Sequence, residues 1–249
     1  MKLLAATTIV VALAAGALLG GVVGEDGASA GRSIEAARPA TRGLTPQLQA
    51  RVSGNPALYP RVQLALDKAL RLDPRNAQAL RGLSALAASR HRFSESLALA
   101  RRAQALEPHV AAVYGLIGDA NLELGRYREA FAAFDRMAAL KPSASSYARI
   151  SYARELKGDA RGSLEAIELA VDAATVGEPA AWTRTLAGNR LLADQRPAAA
   201  KFRFREALSY VPGYPGALSG LAEIRAAHGD LEGARALYAR AASAAASAA

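Results

Sequence analysis

Residues 114–142, YGLIGDANLELGRYREAFAAFDRMAALKP, decide how this chain folds. Tyr114, Ile117, Asn121 and Leu124 recur at steps of three and four, which places them on one face of a helix. Gly118 lies among them. A glycine there lets a facing helix approach closely, although it costs about 1 kcal/mol of helix propensity. Gly125 is expected to end this helix, because a residue that tolerates positive φ is what a helix end requires. A second helix is predicted next, with Tyr127, Ala130, Phe131, Phe134, Met137 and Ala138 on one stripe. Pro142 closes the stretch, since proline cannot continue a helix and restricts the residue before it.

The same punctuation recurs on either side. Pro74, Pro108 and Pro142 are each 34 residues apart. A fixed period of that size is the signature of a helical solenoid, in which each unit buries its apolar seam against its neighbours. The composition agrees with an all-α chain: 51% of the 249 residues are hydrophobic but only 6% aromatic, and alanine, the best helix former, supplies much of the apolar share. There is no cysteine, which excludes disulfides, thiolate catalysis and cysteine-ligated metals. The net charge of +9 comes mainly from arginines scattered among glutamates, with no run of like charge.

A large residue, then Ile117-Gly118, a turn glycine, and then Ala130, Phe134 and Pro142 in phase resemble the tetratricopeptide repeat, whose frame is also 34 residues long. Asn121 stands where the family has a tyrosine, and Met137 where it has an alanine. The unit before it, 77–110, carries Leu80, Leu83, Ala103 and Pro108, with Ser84 for the glycine, Ser96 for the alanine and Ala100 for the aromatic residue. After Pro142 come Tyr147, Ile150, Gly158, Ile167 and Ala170, with Ser151 at the glycine position. The next unit has Gly188, Ala200, Phe204, Ala207 and Pro212, and the last has Leu218, Leu221, Gly229, Ala234, Tyr238 and Ala241. From Gly158 to Gln195, the matching turn residue, the spacing is 37, which predicts an extended second helix after Gly158. A divergent unit before Pro74 is visible mainly as its second helix, near 59–72. The resemblance covers residues 44–242 and implies a right-handed superhelical solenoid of antiparallel helix pairs; residues 243–249 form an Ala/Ser tail.

The N-terminus reads as a signal or anchor helix. Lys2 precedes an uncharged stretch from Leu3 to Val23, and Glu25 and Asp26 follow it. A basic start before an apolar segment is a secretory pattern, and Ala28-Ser29-Ala30 offers a cleavage site before Gly31. Residues 3–23 are also long enough to span a bilayer, with the charge bias placing the following chain outside. Residues 1–30 are therefore expected to be a signal peptide or membrane anchor, and 31–43 a flexible spacer. The expected location is exported: periplasmic or extracellular, or anchored on the outer face of the cytoplasmic membrane of a bacterium.

Within such a solenoid, the resemblance implies that the first helix of each pair lines a concave groove. The residues that would point into it are Gln78, Arg81, Asp119, Glu123, Arg149, Tyr152, Glu155, Trp182, Asn189 and Glu223. A polar groove with two aromatic anchors fits an extended peptide or a partner helix. The carboxylate clamp of some family members would need an asparagine where Ala85 stands, so that mode is not expected. His91, His109 and His228 fall at separate turns without metal-ligand spacing. There is no phosphate-binding glycine loop and no Gly-x-Ser-x-Gly elbow. The expectation is a non-catalytic scaffold or adaptor of the cell envelope, with a protein or peptide partner, no cofactor, no metal and no nucleic acid; residues 3–23 offer membrane attachment. The alternatives are a basic binder of an anionic polymer or membrane surface, and an accessory domain to an envelope enzyme. The carboxylates are expected to pair with arginines four residues away on the same helix.

Overall fold

The computed structural model describes residues 59–247; the signal or anchor segment, the spacer and the first expected helix of the array lie outside the described residues. Eleven α-helices and no strand occur among the described residues. They are α1 (Tyr59–Leu72), α2 (Ala77–Ser89), α3 (Phe93–Leu106), α4 (Ala111–Glu123), α5 (Tyr127–Leu140), α6 (Ala144–Leu156), α7 (Ala160–Asp172), α8 (Gly177–Ala193), α9 (Pro197–Tyr210), α10 (Pro215–Ala227) and α11 (Leu231–Ser247). They divide into two compact units at Pro142–Ser143, α1–α5 and α6–α11. Within each unit, α2/α3, α4/α5, α6/α7, α8/α9 and α10/α11 are the hairpins that the period predicts. No helix among the described residues is long and apolar enough to cross a membrane.

The five hairpins share one turn. Five main-chain N–H groups (Arg92, Arg126, Asp159, Arg196 and Asp230) each donate to the carbonyl five residues earlier, at 2.8–3.0 Å. The residue just before each donor is His91, Gly125, Gly158, Gln195 or Gly229, and all five have positive φ. This is the six-to-one closure that ends a helix on a left-handed residue.

First and second helices bury themselves differently. The second helices hide one stripe, such as Ala130, Ala133, Phe134 and Met137 of α5, and leave the rest to solvent. Tyr127, expected on that stripe, is 52% exposed; the stripe begins only at Ala130, one turn into the helix. The first helices are covered almost all round: nine of the 13 residues of α2 are buried, and eight of the 13 of α4. Such a helix must be apolar or small on most sides. Gly118 and Gly188 satisfy this at the crossing with the second helix; a Cβ on Gly188 would stand 2.5 Å from Cε1 of Phe204, and one on Gly118 would overlap the ring of Phe134.

The extra residues between Gly158 and Gln195 are not in the second helix. Helix α7 has 13 residues, one fewer than the second helices α3, α5 and α9, whereas the following first helix, α8, has 17 against 13 in α2, α4, α6 and α10. The break comes at Ala173–Val176, where Val176 is extended, and α8 restarts at Gly177 (φ 59°). Pro179 then falls in the first turn, where its missing N–H has no partner to lose. Helix α11 continues through the first part of the Ala/Ser tail, as far as Ser247.

Candidate functional site

Because the first helices are enclosed, few of their polar residues stay partly open, and within each unit these residues make up the candidate strip. In the unit α1–α5, Gln78, Arg81 and Asp119 are half-buried and Glu123 is exposed. Arg81 is ion-paired with Glu107, the residue that caps the C-terminal end of α3. Asp119 and Glu123 are four residues apart, on one face of α4. Partial burial pushes the Glu123 carboxyl up from its ordinary value, Asp119 adds to this, and His91 opposes it.

In the unit α6–α11 the expected residues divide into two groups. Glu155, Trp182 and Asn189 are half-buried and Glu223 is exposed, as strip residues should be. Arg149 and Tyr152 are instead buried, at 4% and 9% exposure. Arg149 bonds back to Ser145, donating to its carbonyl oxygen (3.1 Å) and to its hydroxyl. Both residues are thus covered in this chain, whereas the other expected strip residues stay partly open.

The strip is organised by a residue that the periodicity did not single out. Arg190 of α8 reaches across to Glu155 of α6 (3.1 Å) and along its own helix to Asp194. One guanidinium thus serves two carboxylates. Burial pushes the Glu155 carboxyl up; Arg190 pulls it back, and Asp194 pushes it up again. Burial weakens the Arg190 charge, but Asp194 and Glu155 more than restore it, so its pKa lies above the ordinary value. A matching bridge joins α7 to α9, where Arg203 binds Glu168 (2.5 Å) and Glu206 (2.8 Å). Both inter-repeat pairs span 35 residues. The expected four-residue pairs do occur at Arg161–Glu165 and Arg190–Asp194, but the better-buried glutamates look to the next repeat.

Trp182 sits two turns before Asn189 on α8. Its ring is half-buried, yet its indole Nε1 is sealed from solvent and meets no acceptor. The extra N-terminal turn of α8 carries Glu178, which faces Tyr214 at the start of α10. Burial and, after it, Glu178 push the Tyr214 hydroxyl up to about 12. Below this turn, Arg184 is a cation without a carboxylate. It donates to the carbonyls of Ala174 (3.0 Å) and Ala180 (3.2 Å) and lies 4.4 Å from the centre of the Tyr210 ring. It therefore ties the α7–α8 linker to α9.

The three histidines are dispersed: His228 Nδ1 meets the carbonyl of Ile224 at 2.7 Å and His91 packs edge-on against Phe93. No group of three potential metal ligands occurs among the described residues.

Paired helices, one shared turn and an enclosed first helix define a helical-repeat protein. Family models of the tetratricopeptide repeat match residues 86–145 and 191–249, and these matches support a tetratricopeptide repeat protein. Solved structures agree on the fold. A thermophilic tetratricopeptide repeat protein of Thermus thermophilus is 17% identical, with a TM-score of 0.63 over 84% of this chain and 98% of its own. A tetratricopeptide repeat protein of Parabacteroides merdae is 13% identical, with a TM-score of 0.67 over 85% and 79%. Pseudomonas aeruginosa pilF is 15% identical, with a TM-score of 0.61 over 81% and 88%. No curated protein matches the sequence significantly. Proteins of this family are in general non-catalytic scaffolds for protein–protein interaction.

Proposed function

We propose that this chain is a scaffold of the bacterial cell envelope that holds a peptide or a partner helix against the inner strip of its first helices. One observation carries the reading: helices enclosed on nearly every side still place Gln78, Arg81, Asp119, Glu123, Glu155, Trp182, Asn189 and Glu223 where they stay partly open. Partly open polar side chains on otherwise enclosed helices are the groups free to meet a peptide or a partner helix. Export rests on the N-terminal pattern of Lys2, the apolar stretch 3–23 and Ala28-Ser29-Ala30.

A photo-crosslinking amino acid placed at Asn189 tests the strip in cells. Crosslinks to a defined envelope protein that disappear with Trp182→Ala, while far-UV circular dichroism stays the same, support the reading. Equal crosslinking from an outward position such as Arg235 counts against it. Mass spectrometry of the N-terminus of the same sample decides export: a start at Gly31 means cleavage, a start at Met1 in the membrane fraction means anchoring, and an intact cytosolic chain removes the envelope from the proposal.

A further inference from the structure

We propose that the outer face of α11 pairs with the same face of a second copy of this chain, antiparallel and about a two-fold axis, with Tyr238 of each copy seated on Ala242 of the other. The inner strip plays no part in this contact.

The repeat itself shows which side chain is out of place. Nine residues after the left-handed turn residues come Ala100, Phe134, Ile167, Phe204 and Tyr238. The first four are 0–2% exposed, whereas Tyr238 is 47% exposed. Phe204 shows what closes such a position. A Cβ on Gly188 of its own hairpin, or on Gly220 of the next first helix, would overlap its ring, so the ring is held between two helices. In the last hairpin α11 packs on α10 through Ala234, Leu237 and Ala241. That closes one side of the Tyr238 position, and the exposure of the ring leaves the other side open among the described residues.

The open side is a seam in its own right. Leu231, Arg235, Tyr238, Ala242 and Ala245 follow one another at steps of four and three, and all five are exposed. Such spacing makes a stripe that packs on a like stripe by knobs into holes. A two-fold contact requires one face to carry both the knob and the hole. The knob is the Tyr238 ring, and the holes lie over the short side chains of Ala242 and Ala245, one and two turns further on. Centring an antiparallel pair near residue 240 puts each ring on Ala242 of the other copy. In that register the two Arg235 residues stand roughly 15 Å apart along the axis, beyond the screening length of about 8 Å. Each lies instead beside the C-terminal end of the other copy's α11, whose carbonyls favour a cation. A parallel pair would set ring against ring and Arg235 against Arg235. The phenol of Tyr238, unlike the ring of Phe204, also keeps a hydroxyl for the wet rim of such a contact.

The chain has no cysteine, so one introduced by substitution is its only thiol. A bis-maleimide should join full-length Ala242→Cys chains in pairs and leave Ala236→Cys chains, substituted away from the seam, single. One helix pair buries less than a standard interface, so a dissociation constant on the order of 10–100 μM is expected. Sedimentation velocity across that range should show a monomer–dimer equilibrium. Tyr238→Lys should weaken it about tenfold or more, with far-UV circular dichroism unchanged because the side chain already meets solvent. A photo-crosslinker at Arg235 should trap a second copy, and the envelope protein sought at Asn189 should not appear there. A chain that stays monomeric, self-association that survives Tyr238→Lys, or equal coupling of Ala236→Cys overturns the inference and leaves the strip reading as it stands. Absence of any crosslink from Asn189 strikes the strip alone.

Discussion

Ser84 donates its hydroxyl to the main-chain carbonyl of Ser96 at 2.9 Å, and the two hydroxyls lie 3.0 Å apart. Ser151 and Ser163 repeat the arrangement at 2.8 and 3.1 Å. Each pair stands at the crossing of a first and a second helix, where neighbouring hairpins have Gly118 with Ala130 or Gly188 with Ala200. Four of the five hairpins are therefore closed in one of two ways. One uses a glycine against a phenylalanine ring, Phe134 or Phe204. The other uses two serines, with Ala100 or Ile167 in place of the ring. A hydroxyl in so enclosed a place needs its partner, and the second serine provides it.

Breaking this bond gives the first prediction. Ser84, Ser96 and Ser163 are fully buried and Ser151 nearly so. Ser151→Ala and Ser163→Ala should each cost about 1 kcal/mol in urea denaturation. The double variant should lose less than the sum, since neither change then leaves a lone hydroxyl. Strict additivity would mean that the hydroxyls do not meet in solution.

The glycine joint gives the second. A methyl group on Gly118 overlaps the Phe134 ring, which is itself 1% exposed and has little room to move. Gly118→Ala should therefore destabilise by roughly 1–3 kcal/mol, even though alanine is the better helix former. Adding Phe134→Leu should recover part of the loss. A rise in melting temperature for Gly118→Ala alone would show that the helices do not approach as closely as described.

Much of this was readable before any coordinates. Proline and glycine act through local backbone geometry, so Pro74, Pro108, Pro142 and Gly125 reported the hairpins directly. Even Gln195 could be placed by register as a turn residue. What escaped was non-local. The three extra residues before Gln195 could have lengthened either helix, and only the extended Val176 and the restart at Gly177 put them in α8. The strip was legible as helix faces, but periodicity cannot tell a groove residue from one covered by a neighbour, and Arg149 and Tyr152 were covered. Arg190 and Asp194 went unnoticed because they matter through a partner 35 residues before Arg190.

The shared turn yields the third prediction. His91 and Gln195 hold φ values of 57° and 58°, in the left-handed region where a Cβ is strained, while Gly125, Gly158 and Gly229 do the same task without one. His91→Gly and Gln195→Gly should each stabilise by about 0.5–1 kcal/mol, the relief of strain exceeding the extra entropy of the unfolded glycine. Gly125→Ala should cost a similar amount. No atom lies within 4 Å of a Cβ built at Gly125, so only backbone strain can account for such a loss.

The fourth prediction concerns pH. Burial, first among the causes, raises the carboxyls of Glu123, Glu155 and Glu168 above their ordinary value of 4.5, even though Arg190 and Arg203 oppose it at the last two. A group whose folded pKa is raised contributes its stability below the unfolded value and loses it as pH climbs through the folded one. These three glutamates should therefore weigh against the fold increasingly above pH 4.5, and protonation should relieve it. Glu168→Gln removes the burden while keeping the shape and a hydrogen-bond partner for Arg203. Its melting temperature should equal that of the parent at about pH 4 and match or exceed it at about pH 7. Arg203→Leu should act in the opposite sense, since it leaves Glu168 and Glu206 facing each other without their cation. Scanning calorimetry of the three chains across this range checks the sign: if Glu168→Gln melts well below the parent at neutral pH, the bridge to Arg203 outweighs the cost of burying it.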